Sequence, residues 1–128
     1  MKRCVAGIVV KDDKVLIGKK IVKERHCLSN QWYIPGGHII DGETEEQAVV
    51  REMKEECNLD VTVIGKIVEK SFEDFSLAWF IVKLTKGEEK AGDDLQEVKW
   101  VDKNNVCKEC SQTAVSRWPD ELKNFFLR

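Results

Sequence analysis

Three glutamates at helical spacing are the residues of this sequence best suited to chemistry. Glu52, Glu55 and Glu56 stand at i, i+3 and i+4, so they share one face if the segment is helical. Like charges at this spacing repel each other on an exposed helix. Converging carboxylates are the ligands that a hard divalent cation such as Mg²⁺ prefers, usually together with substrate phosphates. The spacing therefore predicts a metal-binding face, and a solvated acidic surface is the alternative interpretation.

The residues before and beside these glutamates strengthen the metal-binding interpretation. Pro35 precedes Gly36 and Gly37, and we expect a rigid turn there whose glycine backbone approaches a ligand closely, which makes both glycines substrate-binding candidates. Glu43 lies just before the helix. Arg51 stands next to Glu52, where its guanidinium can clamp a carboxylate or a phosphate with two hydrogen bonds.

The segment 36–61 resembles the Nudix box, which is written G-x5-E-x7-R-E-U-x-E-E-x-G-U with U an aliphatic residue. The matching positions are Gly37, Glu43, Arg51, Glu52, Met53, Glu55, Glu56 and Leu59. The one departure is Asn58, where the family has Gly. Asparagine adopts the left-handed conformation at a mild penalty, so the departure affects the end of the helix and leaves the acidic residues intact. The stretch 46–52 is similar to the MutT-type branch of the family.

The resemblance implies a Nudix fold, an α/β/α sandwich around a mixed β-sheet. It also implies Mg²⁺- or Mn²⁺-dependent cleavage of a nucleoside diphosphate linked to another moiety. Glu52, Glu55 and Glu56 would hold the metal, and Glu52 is the first candidate for the base that takes a proton from the attacking water. Arg51, together with Glu43, would orient the catalytic helix.

Two further site residues are expected from the same resemblance. Several family members bring an extra carboxylate to the metal from the region of Glu97, so Glu97 is expected as a fourth ligand and a second candidate base, with an edge-strand charge as the alternative. Glu69 and Glu73 are weaker candidates. Lys20 ends a predicted strand where MutT-like members carry an arginine that contacts phosphate. A lysine can serve there as a point charge, and a solvated hairpin charge is the alternative.

The substrate is predicted by elimination within the family. Residues 73–78 contain neither the proline typical of ADP-ribose hydrolases nor the tyrosine typical of dinucleoside polyphosphate hydrolases. A nucleoside triphosphate, cleaved to a monophosphate and pyrophosphate, is therefore the first choice. An ADP-sugar or another nucleotide-sugar is the alternative, and a non-catalytic nucleotide-binding module is the second alternative. Most of the aromatic candidates for stacking on a base are expected in the core; they are Trp32, Trp79, Phe80, Trp100 and Trp118.

The elements that must position these residues form an α+β pattern with a mixed sheet. The clearest helix spans Thr44–Cys57, with Thr44 as N-cap and Gln47 completing a capping box. Two more helices are expected over Lys103–Val115 and, opened by Pro119 as the first helical residue, over Asp120–Leu127. Strands are predicted over Val5–Val10, Val15–Lys20, Gln31–Ile34, Leu59–Val68 with a bulge at Gly65, Leu77–Leu84 and Glu97–Val101.

Length and composition limit the remaining possibilities. The 128 residues predict one domain over 1–128. A net charge of −2 argues against stable nucleic-acid binding, and no apolar run approaches the ~20 residues of a membrane helix, so we expect a cytoplasmic protein with a small nucleotide as its partner. The oligomeric state, a homodimer included, is left open. Five cysteines indicate free thiols, although Cys107 and Cys110 with His26 and Cys27 leave a zinc site as an alternative.

Overall fold

The computed structural model describes all residues from 1 to 128 and contains seven strands and four α-helices. The strands are β1 (Lys2–Lys11), β2 (Lys14–Lys20), β3 (Trp32–Tyr33), β4 (Gly36–His38), β5 (Asp60–Ser71), β6 (Phe75–Lys86) and β7 (Leu95–Asp102). The helices are α1 (Glu45–Cys57), α2 (Val106–Glu109), α3 (Gln112–Val115) and α4 (Asp120–Leu127), with a 3₁₀ turn at Lys103–Asn105 before α2.

Strand β1 is the centre of a mixed sheet. It runs parallel to β6 and antiparallel to β2 and β4. The strand order is β3-β2-β1-β6-β5, with β4 paired to β1 and β7 paired to β2. The β1–β2 hairpin turns at Asp12 and Asp13, both with positive φ, which is the backbone twist that a tight hairpin requires. The predicted mixed sheet is confirmed.

Two hydrophobic clusters lie on opposite faces of the sheet. On one face α1 buries Ala48, Val49 and Met53 against sheet residues that include Leu16 and Phe80. The other cluster joins residues of the sheet to the C-terminal helices, among them Ile8, Ile17, Trp79, Trp118, Leu122 and Phe126. The helices therefore cover the sheet from both sides, as the predicted α/β/α layering requires.

The caps of α1 fix where the helix begins and ends. The Thr44 Oγ1 accepts a hydrogen bond from the Gln47 amide at 3.1 Å, and the Gln47 side chain accepts one from the Thr44 amide at 2.9 Å, so the predicted capping box is confirmed. Asn58 ends the helix in the left-handed conformation with φ 64°. Its Nδ2 also donates to the Glu88 carbonyl at 3.1 Å, which ties the helix end to the loop between β6 and β7.

Three local predictions need correction. Gly36 and Gly37 lie in β4, paired with Ala6 and Val5, and do not form a turn. The predicted helix over Lys103–Val115 is broken at Cys110, whose ψ of 154° is extended, and α3 restarts with Ser111 as its N-cap. Pro119 caps α4 from outside the helix instead of being its first residue.

The structure also confirms the irregularity predicted in the fifth strand, because register shifts flank Gly65 in the β5–β6 ladder. None of the helices combines the length and apolar character that crossing a bilayer requires.

Candidate active site

Arg51 joins three carboxylates, two on α1 and one on the segment before it. Its Nε and Nη2 donate to the two oxygens of Glu43 at 2.6 and 3.0 Å. Its Nη1 donates to Glu52 Oε1 at 2.9 Å and to Glu55 Oε2 at 3.0 Å, and Nη2 also reaches the His38 carbonyl at 2.9 Å. All three guanidinium nitrogens are thus used within the protein, so the structure gives Arg51 an orienting role and leaves no nitrogen free for a phosphate.

Arg51 and Glu43 each stabilise the charged form of the other. Hydrogen bonds to Glu43 raise the pKa of Arg51, and the same bonds lower the pKa of Glu43. Both groups therefore stay ionised at neutral pH. The pair links the segment before α1 to the middle of the helix, as the predicted supporting role of Glu43 requires.

Glu52 and Glu56 are buried carboxylates, only 7% and 3% exposed. Burial raises the pKa of Glu52, and the hydrogen bond from Arg51 opposes that rise. Burial, followed by the negative charges of Glu52 and Asp94, raises the pKa of Glu56 to about 8, while Lys20 opposes the rise. Glu56 Oε2 is the buried side-chain oxygen that has no hydrogen-bond partner. Negative charge on these two carboxylates is therefore unfavourable in the metal-free protein, and a nearby cation would stabilise it.

The two glycines that precede the helix are required by packing. A Cβ on Gly37 would lie 2.5 Å from Glu52 Oε1, and a Cβ on Gly36 would lie 2.0 Å from the Val5 carbonyl oxygen. Gly37 therefore makes room for the Glu52 carboxylate, and Gly36 lets β4 pair closely with β1. Both also line the cleft described below, which is consistent with their predicted place beside a substrate.

The loop between β6 and β7 adds groups to the site that sequence reasoning missed. Lys90 and Gly92 donate their amides to the Cys57 and Glu56 carbonyls at 2.9 and 3.0 Å, so the loop caps the C-terminal end of α1. A Cβ on Gly92 would lie 2.4 Å from the Glu55 carbonyl oxygen, so only glycine permits this approach. The docked loop brings Asp93 and Asp94 close enough for their charges to raise the pKa of Glu56.

Lys20 is brought to the same place. Its side chain is buried, and its Nζ lies 3.7 Å from Asp94 Oδ2. Its charge also lowers the pKa of Glu56. The predicted position of Lys20 at the site thus agrees with the geometry, because a buried ammonium beside Asp94 and Glu56 is not a solvated hairpin charge.

Glu97 is not brought to this cluster. It is exposed and pairs with Lys19 in the β2–β7 ladder. Along β7, Val98 and Trp100 pack on the α1 side of the sheet and Val101 packs on the other side. Glu97 is in step with Val101, so alternation along the strand places its side chain on the face away from α1. Its role as a metal ligand and base remains a prediction that this placement does not support.

A cleft of about 820 Å³ leads away from the carboxylates. One end is formed by Lys20, Asp94 and the two glycines of β4, and Tyr33 lies beside them. The walls are mostly apolar and aromatic, and they include Leu28, Phe72, Phe75, Leu77, Trp79 and Trp118. Of the predicted stacking residues, Trp79 and Trp118 are largely buried but line this cleft, whereas Phe80 belongs to the core under α1.

The carboxylates suit a hard divalent cation by their chemistry, since all of them offer oxygen ligands and Glu56 Oε2 has no other partner. No three acidic, histidine or cysteine side chains are assembled at a spacing that holds an ion. The reason is visible in the hydrogen bonds, because Glu52 Oε1 and Glu55 Oε2 both turn toward Arg51 Nη1. Glu55, whose side chain is 42% exposed, has the freedom to turn toward Glu56 instead.

Cys107 and Cys110 lie apart from this cluster. Cys110 is buried in the core beneath the C-terminal helices, and Cys107 is half-buried near it. Cys27 is exposed, and its Sγ accepts a hydrogen bond from Arg117 at 3.4 Å.

Comparison with known proteins agrees with the fold and gives the family. The chain matches the model of the NUDIX domain over residues 1–121, and it therefore belongs to the Nudix family. It is 38% identical over 111 residues to an ADP-ribose pyrophosphatase of Methanocaldococcus jannaschii, a match that covers 81% of this chain and 63% of that protein. This chain therefore spans less than two thirds of that relative's length. It is 36% identical over 94 residues to an 8-oxo-dGTP diphosphatase of Proteus vulgaris, which covers 68% of this chain and 82% of the relative.

Solved structures show the same architecture. A NUDIX hydrolase from Nitrosomonas europaea superposes with a TM-score of 0.81 at 22% identity, covering 98% of this chain and 69% of that one. A MutT structure from work on Aliivibrio salmonicida and Vibrio cholerae has a TM-score of 0.76 at 24% identity, covering 98% and 96% of the two chains. At these identities the likeness establishes the fold.

Proposed function

We propose that this protein is a divalent-metal-dependent pyrophosphohydrolase that cleaves a nucleoside diphosphate linked to another moiety. The observation that carries the proposal is the pair of buried carboxylates, Glu52 and Glu56, which neighbour Gly37 and Lys20 in the lining of an apolar cleft. A diphosphate cannot enter so acidic an end of the cleft without cations to offset the charge. Membership of the Nudix family supports the same reaction class.

Each residue of the site has a role in this proposal. Glu52, Glu55 and Glu56 are the residues that would hold Mg²⁺ or Mn²⁺. When bound, such a cation would offset the negative charge of the phosphate oxygens and would lower the pKa of a coordinated water. Arg51 and Glu43 hold the Glu52 carboxylate in place through Oε1. Glu52 Oε2 accepts no side-chain hydrogen bond, so we assign Glu52 Oε2 as the base that accepts a proton from the attacking water.

Lys20 and Asp94 complete the polar end of the cleft. The Lys20 ammonium provides a point charge for a phosphate oxygen, while Asp94 keeps that ammonium in position at 3.7 Å. Burial raises the pKa of the Tyr33 hydroxyl, which therefore stays protonated beside Glu56 and is available as a donor. The apolar walls accept the nucleoside and exclude water from it.

The first substrate class is a nucleoside triphosphate, cleaved to a nucleoside monophosphate and pyrophosphate. Residues 73–78 lack the proline that the ADP-ribose branch tends to carry. A relative whose name is 8-oxo-dGTP diphosphatase, matched over most of its length, supports this choice. ADP-ribose is the second candidate, because a relative named ADP-ribose pyrophosphatase is 38% identical over 111 residues.

A substrate panel tests the proposal. The four ribonucleoside triphosphates, the four deoxynucleoside triphosphates, 8-oxo-dGTP and ADP-ribose are incubated with the protein in MgCl₂ or in EDTA, and the products are separated by ion-exchange chromatography. We expect a monophosphate and pyrophosphate from at least one triphosphate in MgCl₂ and no product in EDTA. Cleavage of ADP-ribose alone would select the second candidate. Failure to cleave any of these compounds would refute the proposal.

A further inference from the structure

The cleft contains a second group of basic side chains besides Lys20. Lys23, His26 and Arg117 all line it, although Lys23 and His26 belong to the loop after β2 and Arg117 follows α3. Neither Lys23 nor Arg117 forms an ion pair with a carboxylate. We call these three residues the distal cluster. Lys23 and Arg117 thus contribute positive charge that is not paired with a carboxylate along a ligand-sized cleft, and such charge is suited to an anion.

The loop after β2 holds the distal cluster in a defined shape. The Lys23 amide donates to Ser29 Oγ at 2.8 Å, and the His26 amide donates to the Lys23 carbonyl at 3.1 Å. His26 Nδ1 accepts the Leu28 amide at 3.1 Å, so the neutral ring carries its proton on Nε2, where it can be donated to a ligand. These bonds close the loop on itself and fix the position of His26.

Arg117 is held at the same place by one weak bond. Its Nη1 donates to Cys27 Sγ at 3.4 Å, which connects the end of α3 to the loop. Sulfur is a weak acceptor, so most of the five guanidinium donors remain free for a stronger one. The guanidinium geometry matches a phosphate with two parallel hydrogen bonds.

The charges of the two ends of the cleft interact. Burial lowers the pKa of His26, the positive charges of Lys20, Lys23 and Arg117 lower it further, and the charge of Asp94 opposes them. Lys20 is the same residue that pairs with Asp94 at the carboxylate end. Lys20, Asp94 and the distal cluster line the same cleft, so a single ligand can contact both ends while the apolar wall between them faces its nucleoside.

We propose that Lys23, His26 and Arg117 form an anion subsite that binds a second phosphate group of the substrate, remote from the anhydride that is cleaved. The inference rests on the proposed function for the identity of the first phosphate group. The substrate class it names is a 5′-phosphorylated nucleotide with a further phosphate on the 3′ side of its ribose. That phosphate is either a monoester or the diester that begins an oligonucleotide.

Binding of non-hydrolysable probes tests the subsite without relying on turnover. Isothermal titration calorimetry in MgCl₂ compares AMP, adenosine 3′,5′-bisphosphate and the 5′-phosphorylated dinucleotide pApA, none of which contains an anhydride. We expect the bisphosphate to bind the wild-type protein about tenfold tighter than AMP, the gain of one charge-assisted contact. Arg117→Ala and Lys23→Ala should each reduce that ratio to below about threefold, and raising NaCl should reduce it in the wild type.

The variants and probes separate the outcomes. Lys108→Ala, an exposed change on α2 outside the cleft, should leave the ratio as in the wild type. Arg117→Lys should retain part of the preference because the charge remains. A preference for the bisphosphate but not pApA supports the subsite and selects the monoester, and the converse selects the diester. Equal affinities for all three probes would overturn the subsite, even if the protein hydrolyses a triphosphate. Tighter binding of the bisphosphate or of pApA than of AMP would support the subsite, even if the protein hydrolyses none of the triphosphates.

Discussion

Replacing Glu56 with glutamine should stabilise the metal-free protein at alkaline pH. The native pKa of about 8 lies above the usual 4.5 of a glutamate, so the folded state binds a proton more tightly than the unfolded state. Between these two values the folded state carries more protons, and its stability therefore falls as the pH rises. Burial, followed by the charges of Glu52, Asp94 and Asp93, causes this rise, and the charge of Lys20 opposes it. Glutamine keeps the shape of the side chain and cannot ionise.

The size of the effect follows from the same values. At about 1.36 kcal/mol per pH unit, the shift from 4.5 to about 8 sets an upper bound of about 5 kcal/mol on the cost of ionising Glu56 in the folded state. Screening and side-chain relaxation reduce such costs. We therefore expect the stability of Glu56→Gln relative to the wild type to increase by about 1–3 kcal/mol between pH 5 and pH 9.

Urea unfolding in EDTA, followed by tryptophan fluorescence at pH 5, 7 and 9, measures this difference. Glu55→Gln is the matched control, because Glu55 is 42% exposed and loses only one ion pair with Arg51. That change should cost about 0–1 kcal/mol with no growing advantage at high pH. The reasoning is refuted if the free energy of unfolding of Glu56→Gln does not rise relative to the wild type with pH, or if Glu55→Gln gains equally.

Further predictions concern the positioning of the site. Both Glu55→Gln and Glu56→Gln should lower kcat more than about 100-fold with the fold retained by circular dichroism. Glu43→Gln should lower kcat by about 10- to 100-fold with little change in KM, because Arg51 loses the partner that orients Glu52; an unchanged kcat would count against this link. Gly37→Ala should cause a similar loss, since its Cβ would meet the Glu52 carboxylate at 2.5 Å. Asn58→Gly should change stability by less than about 1 kcal/mol, because relief of the left-handed backbone offsets the lost bond to Glu88, whereas Asn58→Ala should cost about 2 kcal/mol in urea unfolding.

Local patterns predicted the helix that carries the chemistry and its partners. The capping box at Thr44, the left-handed Asn58 and the face shared by Glu52 and Glu56 depend on neighbours within a few residues, so the sequence contains them. The pairing of Arg51 with Glu43 followed from the family motif, and the hydrogen bonds agree with it.

Long-range packing explains what the sequence did not predict. Asp94 reaches the site because the loop before β7 caps the far end of α1, a contact between segments distant in the chain. Gly92, which must lie against the Glu55 carbonyl, was the residue in the sequence that could have indicated this contact. Glu97 was expected at the site, but strand alternation after the register shift at Lys19 and Lys20 places it on the other face.

The most direct test of the central claim is the fate of oxygen from solvent during triphosphate cleavage. The protein is incubated with MgCl₂ and its preferred nucleoside triphosphate in ¹⁸O-labelled water, and the products are identified by ion-exchange chromatography and mass spectrometry. We predict a nucleoside monophosphate and pyrophosphate, with one ¹⁸O in the pyrophosphate from attack at the β-phosphorus, and no reaction by Glu56→Gln. Orthophosphate as the first product, or unchanged turnover by Glu56→Gln, would contradict the assignment of these carboxylates to pyrophosphohydrolysis.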